Sequence, residues 1–241
     1  MKRFIIEQSC WDLFPDAHIG IVVAEGLQPA EAVRAAHDAE IGALLAQENH
    51  EALRFLPSHT ISENEVVAVW RDAYQKFKTK KGARSSIENL LKRVSKGNEV
   101  GRITPLVDLY NAVSLRYALP CGGEDIDTFV GDLRLRVTQG GDAFRALGDA
   151  EDSPTLPGEV SYLDDVGAVC RCWNWRDGQR TMLTDTTQNA FLIVECVDPQ
   201  RGDDARAATE DLAQLTQRYC GATLAQVRML SKEAPQVQIQ G

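Results

Sequence analysis

The apolar residues of this chain change their period part-way along it, and that change leaves few folds open. Between positions 66 and 117 they recur at intervals of three and four; from Leu133 they alternate. Val66, Val69, Trp70, Ala73 and Phe77 stripe one helix, with Trp70 as a core anchor. Ile87, Leu90, Leu91 and Val94 stripe a second, capped by Ser85 or Ser86 and stopped at Gly97. A third starts at Pro105, a residue suited to a first helical turn, and ends near Tyr117. Beyond it Leu133, Leu135 and Val137 alternate with Arg134, Arg136 and Thr138, the pattern of a half-buried strand. Further strands are expected at 143–147, 159–163, 168–175, 190–197 and 223–230, and a helix at 203–219 stopped by Gly221.

The opening residues carry strand patterns at 3–7 and 18–25, and an alanine-rich helix at 30–45 behind Pro29. Helices followed by many short strands predict an α+β fold, with mixed and antiparallel sheets flanked by helices. The expected division is an N-terminal α/β subunit at 1–65 packing on a module at 66–230, with a C-terminal tail at 231–241. Gly122-Gly123 and Gly140-Gly141 lack the strand, glycine turn and helix of a phosphate loop or dinucleotide site.

No run approaches the roughly 18 apolar residues of a membrane span, and MKRFIIEQSC lacks the apolar core of a signal peptide. The expected location is the cytoplasm, with no membrane partner. The six cysteines match neither a paired Cys-x-x-Cys zinc site nor a disulfide scaffold, so reduced thiols and no metal are expected. Cys170 and Cys172 read as neighbours on one strand face, as do Trp173 and Trp175.

A net charge of -9 opposes indiscriminate binding of polyanions, and DNA is not an expected partner. The charge is unevenly spread, however. Positions 71 to 102 hold ten Lys or Arg against three acids, a local +7 that leaves -16 for the rest. Such a run is either a solvated helix surface or a confined contact for a phosphate backbone, the latter through Lys78, Lys80, Lys81, Arg84, Lys92 and Arg93.

Three blocks in order carry a family resemblance: PLVDLYNAVSL from Pro105, CGGEDIDTFVGDLRLRVTQGGDAF from Cys121, and LTDTTQNAFLIVECVDP from Leu183. They resemble the tRNA-editing module of the phenylalanyl-tRNA synthetase beta chain, and ARSSIENLLKRV resembles its free-standing members. The resemblance implies a trans-acting aminoacyl-tRNA deacylase, with the charged acceptor end of tRNA as partner and no cofactor. Two departures stand out. Where the family has a histidine loop this chain has Cys121, Gly122 and Gly123, and where it has a Gly-Gly-Glu turn this chain has WNWRDGQRT.

The implied mechanism is one of positioning, because an ester is already activated and the neighbouring ribose hydroxyl can assist water. Thr184, Thr186, Thr187 and Asn189 are the expected catalytic set, or else a plain turn before a strand. Asp108, Asn111, Glu124, Asp125, Trp173, Asn174, Arg176 and Arg180 are the expected substrate contacts; for Asp108 and Asn111 a structural cap, and for Trp173 core packing, are the competing roles. Two other functions stay open: a module that binds tRNA or an amino acid without catalysis, and a hydrolase of another small acylated substrate.

Overall fold

The computed structural model describes residues 1–240 and is built in three layers. Its centre is a four-stranded sheet of β2 (His18–Glu25), β3 (Cys121–Asp125), β8 (Ala190–Cys196) and β9 (Thr223–Leu230), in the order β3-β8-β2-β9. β2 pairs antiparallel with both β8 and β9, and β8 with β3. Because β2 and β8 are covered on both faces, they read as near-continuous apolar runs, IGIVVA and AFLIV.

One face of this sheet, with Val22, Ala24, Leu192 and Val194, packs on three helices: α2 (Ala30–Glu51), α5 (Pro105–Tyr117) and α6 (Gly202–Cys220). α6 lies so close to β2 that a Cβ on Gly20 would fall 1.8 Å from Thr209 Oγ1. The other face, with Ile21, Val23, Phe191 and Ile193, packs on the second sheet. That sheet has six strands in the order β10-β1-β4-β5-β6-β7. They are β10 (Gln236–Gln240), β1 (Lys2–Ile6), β4 (Leu133–Val137), β5 (Val160–Asp164), β6 (Gly167–Arg171) and β7 (Arg176–Asp177). All its pairings are antiparallel except β1 with β4. The fold is therefore the expected α+β arrangement of mixed and antiparallel sheets flanked by helices.

Two shorter helices, α3 (Glu65–Ala73) and α4 (Ser86–Val94), close one end of the gap between the sheets. α1 (Gln8–Trp11) is a single turn beside β4. Local chemistry sets the helix ends. Ser85 Oγ accepts from Glu88 N–H at the start of α4, and Thr104 Oγ1 accepts from Val107 N–H at the start of α5 with Pro105 next in the chain. Gly221, at φ +67°, ends α6 in the left-handed region.

Residues 1–65 enter both sheets, β1 between β10 and β4, and β2 between β8 and β9. Residues 236–240, within the expected tail, form the edge strand beside β1.

Three local expectations differ. Residues 143–147 make only one isolated bridge, Ala146 to Gly178, because Gly140, Gly141 and Gly148 at φ near +85° break the extended backbone on either side. The strand expected at 168–175 stops at Arg171. Cys172 (φ 46°) and Trp173 (φ 63°) turn left-handed there, so neither the two cysteines nor Trp173 and Trp175 share a strand face. In the other direction, CGGED, read as a loop, is strand β3.

Candidate functional site

A cavity of about 80 Å³ lies between the two sheets. β3 supplies Cys121, Gly122, Gly123 and Glu124 to one wall, and the inward residues of β8, Phe191, Ile193 and Glu195, supply the floor. Tyr162, Val169 and Cys170 come from the six-stranded sheet, Asn174, Trp175 and Asp177 from the turn into β7, and Ser86 from the start of α4. A Cβ built on Gly122 meets only Ile193 Cγ2, at 3.8 Å, so a side chain there would enter free space.

Glu195 organises one end. It is the single charged residue of β8 and is buried. The Tyr162 hydroxyl donates to its Oε1, as does Trp173 Nε1 at 2.6 Å, and Asn174 Nδ2 donates to Oε2 at 2.6 Å. Burial raises the Glu195 carboxyl to about 7, with the three donors holding it lower than burial alone would. Asn174 is fixed on its other side, where Oδ1 accepts from Tyr74 OH at 3.1 Å and Ser86 N–H at 3.2 Å. Tyr74 OH also donates to the Cys172 carbonyl at 2.7 Å. Long-range bonds thus hold the left-handed Cys172–Trp173 pair that local preference disfavours. Trp173 itself is core, with Phe14 and Trp70 rings at 4.5 and 5.2 Å.

Glu124 is different in kind. It is 6% exposed and neither carboxylate oxygen has a hydrogen-bond partner. Burial first, then the nearby Asp177 carboxyl, push it well above the usual carboxylate range. Arg180, the nearest cation, is held instead by the buried Asp164 at 2.7 and 2.8 Å. Burial also pushes the Cys121 and Cys170 thiols up, so both stay protonated and are poor nucleophiles. Among the described residues no histidine lines the cavity, and no group of three His, Cys, Asp or Glu is placed to hold a metal.

The other residues singled out from sequence fall in three places. Thr184, Thr186, Thr187 and Asn189 form the turn into β8, outside this cavity. Thr187 Oγ1 donates to Asp125 Oδ2 at 2.8 Å and accepts from Thr184 N–H at 2.9 Å, while the Oγ1 atoms of Thr184 and Thr186 lie 3.2 Å apart. Asn189 Nδ2 donates to Asp127 Oδ2 at 2.8 Å, so the turn clasps the end of β3. Thr184 and Thr187 do line a second hollow, of about 20 Å³, against Thr104, Pro105 and Leu106 at the start of α5. Asp108 is buried, accepting from Ile103 N–H at 2.7 Å and from Arg102 Nε at 2.5 Å; Asn111 is buried on the same helix. Arg176 pairs with Asp149 at 3.1 Å.

The basic residues Lys78, Lys80, Lys81, Arg84, Lys92 and Arg93 are all exposed. Arg84 lies 3.7 Å from Glu88; among the described residues the other five have no carboxylate within 4 Å. Of this tract Lys80 reaches the cavity lining, its Nζ 5.9 Å from the centre of the Trp175 ring. Glu195, Tyr162 and Asp177 were not singled out from the sequence. The available signal was Glu195 itself, an acid inside an otherwise apolar strand.

Residues 69–221 match the B3/4 domain. The phenylalanine–tRNA ligase beta subunit of Psychrobacter arcticus is 35% identical over 88 residues, which is 36% of this chain and 11% of that subunit. An N-terminal fragment of the phenylalanyl-tRNA synthetase beta subunit from Pyrococcus horikoshii aligns structurally at a TM-score of 0.49 and 10% identity, over 92% of this chain and 49% of that one. The chain thus spans less than half the length of either relative. With the domain match running through more than half of its residues, the chain belongs to the B3/4 domain family.

Proposed function

We propose that the cavity receives the aminoacyl group of a charged tRNA and that the protein hydrolyses the ester. The observation that supports this reading is the segregation of charge. The carboxyls of Glu124, Asp177 and Glu195 line the cavity, whereas Lys80, one of a tract of exposed lysines and arginines, lies against its lining residue Trp175. An aminoacylated acceptor end has the complementary distribution, an ammonium at the tip of a polyanion. The resemblance to a beta-subunit editing module points the same way.

In this reading Asp177, at the rim, and Glu124, inside, face the ammonium, and Asn174 fixes the opposite wall through Glu195 and Tyr74. Glu195 spends both oxygens on protein donors and serves to hold the wall. The Thr184 to Asn189 turn sets the position of β3 by clasping Asp125 and Asp127. Attack on the ester is left to a placed water helped by the ribose hydroxyl, the positioning route that suits a cavity without histidine. Gly122 leaves room for the substrate within the Cys121 to Gly123 stretch that stands where the family has its histidine loop.

The test is deacylation. Purified protein with a panel of mischarged tRNAs should release amino acid, and Glu124→Gln and Asp177→Asn should each slow release at least tenfold. That no histidine lines the cavity among the described residues favours one second reading, a module that binds charged tRNA without cleaving it. Tight tRNA binding with no release at high protein concentration would select that reading over hydrolysis.

A further inference from the structure

Glu124 is the feature that the reading above leaves underused. A carboxyl buried among apolar side chains costs several kcal/mol unless something donates to it, and such orphaned groups are few in folded proteins. Leu133, Val169, Phe191 and Ile193 supply the apolar lining here, and the side-chain donor beside Glu124 among the described residues is the buried Thr181 hydroxyl, which stands outside hydrogen-bond geometry. Among the described residues Asp177 makes no ion pair either, while Arg180 and Arg176 are committed to Asp164 and Asp149. Two carboxyls without a cation of their own therefore share one largely apolar cavity. The shape of that deficit specifies what should fill it.

We infer that the aminoacyl group taken by this cavity is dibasic: Asp177 at the rim meets its α-ammonium, and Glu124 inside meets an ammonium at the end of its side chain. The inference rests on the aminoacyl-tRNA reading and adds the substrate class. A metal ion would also neutralise the two acids, but among the described residues no group of three His, Cys, Asp or Glu is placed to hold one. A neutral hydroxyl would donate once and bring no charge to the two carboxyls. An ammonium donates three times and brings the missing charge, and methylenes between the two nitrogens match the apolar walls.

Calorimetry on the full chain with amino-acid amides tests this without any variant. Lysinamide and norleucinamide share the same unbranched carbon side chain, and lysinamide adds the terminal ammonium. Lysinamide should bind at least tenfold more tightly than norleucinamide and tyrosinamide. Glu124→Gln should remove that preference, and Asp177→Asn should weaken lysinamide and norleucinamide by equal factors; a thermal melt of each variant confirms folding. Equal affinity for lysinamide and norleucinamide, or tighter binding of tyrosinamide, overturns the dibasic inference and leaves the aminoacyl reading standing. Binding of none of the amides, with aminoacylated tRNA also failing to bind better than uncharged tRNA, overturns the aminoacyl reading itself.

Discussion

Glu195 and Glu124 show how one residue type takes two roles through its surroundings. Glu195 has three donors in hydrogen-bond geometry and is raised to about 7; Glu124 has none in that geometry among the described residues, only the Thr181 hydroxyl beside it, and is raised well above its usual range. For Glu195 the sign is fixed by linkage. Between the ordinary value near 4.5 and about 7 the folded state keeps a proton that the unfolded chain releases, so stability falls as pH rises through that window. The slope is about 1.4 kcal/mol per pH unit for one such group. Glu195→Gln should flatten the fall in thermal midpoint between pH 5 and 7, as differential scanning calorimetry can read; an unchanged slope would assign the titration elsewhere. The buried Arg171–Glu159 pair is a second case, with contacts at 2.7 and 3.1 Å and both side chains at or below 1% exposure. Glu159→Gln leaves Arg171 charged and half-partnered, and denaturant unfolding should show a loss of about 3–5 kcal/mol. None of these partners was readable in advance. Position 195 announces a buried acid, but Tyr162 and Asn174 reach it from other elements.

At the scale of elements, what could be read from the sequence follows how local the cause is. α5 was read to both ends, because Pro105 and the apolar stripe both lie within it. Gly221 stopped α6 as expected, since a left-handed C-cap is a property of one residue. β3 could not be read, because Gly-Gly-Glu-Asp has little strand preference and becomes a strand only by pairing with β8. The break after Arg171 was equally hidden: its left-handed residues are held from Tyr74 and Glu195, far away in the chain. The contact of α6 with β2 allows a direct test. Gly20→Ala places a methyl 1.8 Å from Thr209 Oγ1 and should cost at least about 2 kcal/mol in urea unfolding, partly recovered by Thr209→Ala. Full tolerance of the alanine would mean that helix and strand are not packed this closely.

For the whole molecule, the organising fact is that a cavity lined by three carboxyls carries, at Trp175, one lysine of the basic tract of an otherwise acidic protein. The fold class was legible from hydrophobic period alone. The cavity was not, because its walls come from β3, β8, β5, β6 and the 172–177 turn, and only the pairing of two sheets brings them together. The sequence did show the basic tract and placed Glu124, Asn174, Arg176 and Arg180 among the contacts; of these the structure sets Glu124 and Asn174 on the cavity and ties both arginines to acids. Binding of tRNA through the tract should weaken steeply with salt. Replacing Lys78, Lys80 and Lys81 by alanine should reduce the slope of log affinity against log salt by about 2–3, if each lysine meets one phosphate. The measurement that reaches the central claim most directly is a crystal structure with a non-hydrolysable 3′-aminoacylamino adenosine. The account predicts the aminoacyl group in the cavity against Glu124 and the adenosine at the rim beside Trp175 and Lys80. Aminoacyl density at the Thr184 to Asn189 turn, with the cavity between the sheets left empty, would contradict it.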